Sequence, residues 1–136
     1  MPFDSKYETG VVWQDFQHKQ LIELFQKVKE ARSNKKDESL FRYTVAFLAM
    51  YVNHHFSLEE EYMDKYHYPG KDAHHKDHQD FVKELKAFRD ENKNYSEKAT
   101  DDLLTRMGDW IFSHILEDDV KLGLHIQSFE KKKSAT

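Results

Sequence analysis

The chain has 136 residues, 21 Lys+Arg against 25 Asp+Glu for a net charge of −4, nine histidines and no cysteine. That length suits one domain with a substantial core, and the missing thiol excludes disulfides, Cys-type zinc fingers, cysteine-bound iron–sulfur clusters and a thiol nucleophile. A mildly acidic chain lacks the basic footprint that nucleic acid selects, and no stretch approaches the roughly 18 apolar residues of a membrane span.

Residues Met1 to Glu8 contain acids and no apolar run, which reads as a short N-terminal arm and not as a secretory signal, so a cytoplasmic protein is expected. The first helix is predicted from Trp13 to Arg32, with Leu21, Leu24, Phe25 and Val28 on one face. Ser33-Asn34-Lys35-Lys36 is the polar connection, and Asp37 or Ser39 can cap the second helix. This helix carries Leu40, Phe41, Val45, Leu48, Val52 and Met63 on its stripe and ends before Tyr68-Pro69-Gly70. The third runs from Asp72 to Asn92. The fourth is capped by Ser96, faces the core through Leu103, Met107, Trp110 and Ile111, and is expected to stop around Gly123. Residues 124–130 then read as a short extra turn and Lys131–Thr136 as a solvated tail. Long helices joined by short loops predict an all-α fold, an antiparallel up-down-up-down four-helix bundle spanning residues 1–136 as a single domain.

Several histidines fall on the apolar stripe of their helix. Positions 74, 78, 81, 85 and 88 read His, His, Phe, Leu, Phe, one continuous face, and positions 48, 52, 55, 59 and 63 read Leu, Val, His, Glu, Met. His18 aligns with Leu21, Ile22 and Phe25, and His114 with Met107, Trp110 and Ile111. A buried Glu59 must be paired or bound to a cation, since burying an isolated carboxylate costs several kcal/mol or neutralises it. All four helices thus deliver five imidazoles and at least one carboxylate to one depth, a polar cluster that demands something at its centre. Five imidazoles exceed the needs of one zinc, so two octahedral ions with an N/O donor set, iron foremost, suit it better. No histidine has a glutamate three residues before it, which argues against the E-x-x-H site of ferritin-like oxidases. His54, His67, His75 and His125 lack a stripe position or a partner and read as surface or loop residues.

The order His, H-x-x-x-E, H-x-x-x-H, H-x-x-x-x-D resembles the hemerythrin family over essentially the whole chain. Asp15-Phe16-Gln17-His18-Lys19, His55-Phe56-Ser57-Leu58-Glu59-Glu60, His74, His78 and Phe81, and Trp110-Ile111-Phe112-Ser113-His114-Ile115 with Asp119 carry the resemblance. It implies two iron ions (Fe2+/Fe3+) bridged by an oxo or hydroxo group, with His74, His78 and His114 on one and His18 and His55 on the other. Glu59 and Asp119 would bridge them, and the second iron would keep a position for dioxygen under an apolar pocket walled by Ile22, Trp110 and Ile115. The implied function is reversible dioxygen binding for storage, transport or delivery to an oxygen-consuming enzyme, by a monomer that is not itself an enzyme. Oxygen or redox sensing, or di-iron chemistry on peroxide or nitric oxide, are the alternatives. Helical geometry and the family pattern diverge at one place: Asp118, at i+4, shares the face of His114, whereas Asp119 lies about 140° around the axis. A bridging Asp119 requires a π-type bulge.

Overall fold

The computed structural model describes residues 8–135; the expected arm from Met1 to Tyr7 and the terminal Thr136 lie outside the described residues. Helices α1 (Val12–Ser33), α2 (Glu38–Lys65), α3 (Lys71–Glu91) and α4 (Glu97–Trp110) follow one another through linkers of four or five residues, and no strand occurs among the described residues. Chains that reverse in so few residues place consecutive helices antiparallel. Here α1 packs on α2 and on α4, and α2 on α3, giving the four-helix bundle that the apolar spacing predicts. No helix among the described residues is long and apolar enough to cross a membrane.

Local chemistry sets the helix ends. Ser96 caps α4 by accepting from the Ala99 amide at 2.9 Å. Asp37 stands at the start of α2 but makes no side-chain cap; it is buried, and accepts from the Tyr95 hydroxyl at 3.0 Å. It therefore ties the start of α2 to the linker before α4. Burial pushes its pKa up, but the nearby Thr100 hydroxyl and the bond from Tyr95 hold it below the ordinary carboxylate value.

The C-terminal reading needs correction. The fourth helix does not stop at Gly123: it continues without interruption as a π-helix over Ile111–Asp119 and then as α5 (Val120–Ala135), so no separate turn forms at 124–130 and the backbone of the lysine-rich tail is helical to Ala135. Leu122 and Ile126 pack with Val11, Met63 and Tyr66 in a second apolar cluster, and that burial favours helix past the expected stop. His125 also departs from expectation. It is half-buried, bonds the Tyr66 carbonyl at 2.8 Å and sits edge-on to Tyr68, fastening α5 to the end of α2.

Gly123 serves close approach instead of termination. A Cβ there would lie 2.3 Å from Gln14 Oε1 and 2.5 Å from Thr9 Cβ. Gln14 is fully buried and held at its amide nitrogen, so it has no room to yield. In an ordinary helix Gly→Ala stabilises by about 0.5–1 kcal/mol. Gly123→Ala is expected to do the opposite and cost about 1–3 kcal/mol by overpacking, read as a lower midpoint in thermal or urea unfolding; an unchanged or raised midpoint would contradict the close packing.

Candidate metal centre

Between the larger apolar cluster, which holds Leu48, Phe81, Leu103 and Ile111, and the smaller one around Met63 and Leu122, the bundle has a polar layer. Helix α1 supplies His18, α2 supplies His55 and Glu59, α3 supplies His74 and His78, and the π segment supplies His114 and Asp119. All seven are buried, with His18, His55, Glu59 and Asp119 fully so. The i+4 spacings in α2 and α3 bring each pair onto one face by ordinary α-helical geometry. His114 and Asp119 are five apart, and the π segment, whose wider turn suits that spacing, brings both inward. Asp118 is left partly exposed on the outside of the layer, its Oδ2 3.7 Å from His114 Nδ1.

Every imidazole turns its Nε2 toward the two carboxylates. Asp119 divides its oxygens: Oδ2 lies 3.0 Å from both His18 and His55, while Oδ1 lies 2.9 Å from His74 and 2.8 Å from His114. Glu59 Oε1 lies 3.0 Å from His78, 3.1 Å from His74, 3.4 Å from His55 and 4.0 Å from His114. Neighbouring corners of an octahedron with metal–ligand bonds of about 2.1 Å are about 3.0 Å apart, and opposite corners about 4.2 Å. The donors thus have the mutual spacing of ligands around first-row ions. Two groups result, Glu59, His74, His78, His114 and Asp119 in one, and His18, His55, Glu59 and Asp119 in the other. Asp119 Oδ1 and His114 Nε2 are both buried without a hydrogen-bond partner although they are close, as two donors aimed at a common cation would be.

A further set of residues holds these side chains in place, and of these the apolar stripes single out only Trp110. Gln14 donates to Glu59 Oε2 at 3.1 Å and to the Asp119 carbonyl at 2.9 Å, and Gln17 pairs with His55 Nδ1. Gln14 lies one turn before His18 on the same face, so extending the His18 stripe backward would have found it. Three imidazoles are each covered by a ring: Tyr51 stacks on His55 at 4.8 Å, Phe56 on His78 at 3.9 Å and Trp110 on His114 at 3.8 Å. Trp110 therefore sits against the five-donor group. Ile22 and Ile115 are buried in the larger apolar cluster, one turn after His18 and adjacent to His114 respectively.

Charge balance shows what the layer lacks. Burial pushes the carboxyl pKa values of Glu59 and Asp119 upward, but the surrounding imidazoles hold both well below their ordinary values. Burial likewise disfavours the imidazolium of His55, yet the Glu59 charge and the Asp119 hydrogen bond raise it to about 9. His74 rises to about 9 and His114 to about 10 against the same burial, through Asp119 and Glu59, with Asp118 adding to His114. For His78 burial prevails and the pKa is lowered. Without metal the carboxylates therefore keep protons on three imidazoles at neutral pH, and cations must displace them. Loading the metal-free protein at pH 7 is expected to release up to three protons per chain from His55, His74 and His114, measured by calorimetry in buffers of different ionisation enthalpy. Because these folded-state pKa values lie above the ordinary 6.5, their stabilising contribution is complete below about pH 6.5 and is lost as pH rises through 9–10. The melting temperature of the metal-free form should fall across that window while the loaded form holds steady; identical profiles would contradict this charge balance.

Comparison with known proteins agrees with the geometry. The family model described as hemerythrin HHE cation binding domain matches residues 9–123. The chain is 29% identical over 111 residues to a bacteriohemerythrin of Pseudomonas aeruginosa, covering 82% of this chain and 71% of that protein. It is 30% identical over 105 residues to one of Stenotrophomonas maltophilia, covering 77% and 67%, and 29% identical over 120 residues to one of Clostridium acetobutylicum, covering 85% and 92%. With most of its length matched and a layer of buried histidines and carboxylates that can hold cations, the chain belongs to the hemerythrin family of cation-binding domains.

Proposed function

We propose that the polar layer holds two iron ions and binds dioxygen reversibly. The observation that supports this most directly is the unequal division of donors: both groups share Glu59 and Asp119, but one adds three imidazoles and the other two. Six-coordinate ions placed in these groups would differ by one free corner, and that corner lies on the His18/His55 side. A donor set of nitrogen and oxygen without thiolate suits iron. When bound, the iron pair supplies a two-electron couple that takes up dioxygen and gives it back.

The protein's own residues do the rest. Asp119 offers an oxygen to each group and sets the spacing between them, while Gln14 fixes the far oxygen of Glu59. Neutral imidazoles, in place of more carboxylates, limit the anionic charge that would favour further oxidation. Ile22 and Ile115 are proposed as apolar walls that keep water and protons from the open side, and Trp110 holds the ring of His114. On this reading the protein is a carrier and not an enzyme. It would store dioxygen or deliver it to an oxygen-consuming enzyme, as a cytoplasmic monomer.

Two measurements test the proposal. The purified protein should contain about two irons per chain, and His55→Ala should retain about one, because one ligand group loses half its imidazoles while the other keeps all three. Retention of both irons would remove the basis for the unequal division. After anaerobic reduction, admitting dioxygen should produce a visible absorption band that disappears on purging with argon and returns on a second admission. Oxidation in one direction only would favour an enzyme.

A further inference from the structure

The buried layer must be reached from solvent, and two clefts reach a member of it from outside, one of about 410 Å³ at His78 and a smaller one at His114. Between α3 and the π segment lies a cleft of about 330 Å³ whose lining includes Asp77, Asp80, Glu84, Trp110, His114 and Asp118. His114 is buried and spans the wall: its Nε2 faces Asp119 at 2.8 Å, and its Nδ1 faces the cleft, 3.7 Å from Asp77 Oδ2 and 3.7 Å from Asp118 Oδ2. That Nδ1 has no hydrogen-bond partner. The three donor atoms lie within 4.8 Å of one another. A single N–H can point at only one of two carboxylates, and 3.7 Å is too long for a hydrogen bond to either. Two facing carboxylates with a nitrogen between them make a donor set for a divalent cation.

The other side of the layer is built differently. His78 Nδ1 is likewise unpartnered, but it faces one carboxylate, Glu60 at 3.7 Å, which is itself engaged by His75, and Lys83 adds a positive charge to the lining of that cleft. In the cleft at His114, Arg106 takes up the charge of Glu84, but no Lys or Arg among the described residues pairs with Asp77, Asp80 or Asp118. Asp118 and Asp119 are consecutive in the π segment and offer oxygens on opposite sides of the His114 ring, one partly exposed and one fully buried.

We infer that this cleft is the way in for metal: Asp77 and Asp118 capture a hydrated divalent first-row cation, His114 gives up its Nδ1 proton to solvent and takes the cation on that nitrogen, and the cation then passes the ring to the oxygens of Asp119. The inference rests on the reading of the buried layer as a cation centre and adds the route to it. Asp80 deepens the negative field of the cleft and raises the local cation concentration.

The test follows uptake of Co2+ by the metal-free full-length protein in a stopped-flow spectrometer. Asp77→Asn/Asp118→Asn is expected to load about tenfold more slowly than wild type at low salt, with unchanged cobalt stoichiometry and a dissociation constant that shifts by much less than the rate. A charge-matched control at the far end of α3, Asp90→Asn/Glu91→Gln, should load at the wild-type rate. In wild type itself, loading should slow as salt rises and screening strengthens. The inference is overturned if the double variant loads as fast as wild type, if its dissociation constant weakens by as much as the rate falls, as it would were the two carboxylates only orienting His114, if the control slows equally, or if the wild-type rate ignores salt. Wild-type protein that takes up no cobalt would overturn this route and the cation centre together. Wild-type protein that loads normally beside an equally fast variant would overturn the route alone.

Discussion

Two carboxylates share one buried layer of this bundle, and most of what is unusual in the structure follows from that. Glu59 and Asp119 are fully buried beside each other, where like charges repel strongly and neither can be solvated. Such a pair survives only with positive charge brought to it. Five imidazoles from four helices surround the two acids, and in the absence of metal three of them hold protons well above their ordinary range. Cations could take the place of those protons with little rearrangement, because the donor atoms already lie at the mutual spacing of coordinating ligands.

Delivering the second carboxylate has a structural cost that the fold absorbs locally. An unbroken α-helix would turn Asp119 away from His114 and point Asp118 inward. The nine-residue π segment, Ile111–Asp119, shifts the register so that Asp119 enters the layer and Asp118 faces the cleft. Beyond it, Gly123 lets α5 close against Gln14 and Thr9, and Gln14 in turn grips Glu59 and the Asp119 backbone. Register, close approach and second-layer hydrogen bonds are thus parts of one arrangement. The rings of Tyr51, Phe56 and Trp110 complete it by stacking on three imidazoles and limiting their rotation.

Much of this is readable in the chain itself because it is written in local periodicity. The i, i+4 stripes of α2 and α3 place His55, Glu59, His74 and His78 without any knowledge of neighbours, and proline and glycine mark the end of α2. The fourth helix is harder. Nothing in an ideal helical period selects Asp119 over Asp118, and only the family resemblance points to a bulge there. Gly123 misleads for a related reason: a glycine that stops a helix and one that admits a neighbouring chain look alike in sequence, and the difference lies in contacts with Thr9 and Gln14 more than a hundred residues away. The contacts of Gln17 with His55 and of Asp77 with His114 are likewise set by which helices become neighbours.

The central claim is that two ions share Glu59 and Asp119 with three imidazoles on one side and two on the other. A crystal structure of the iron-loaded protein, with anomalous differences recorded at the iron edge, tests this most directly. The account predicts two peaks between the four helices, one nearest His74, His78 and His114 and the other nearest His18 and His55, with Asp119 reaching both. A single peak, or a pair in which Asp118 and not Asp119 supplies the shared carboxylate, would contradict it.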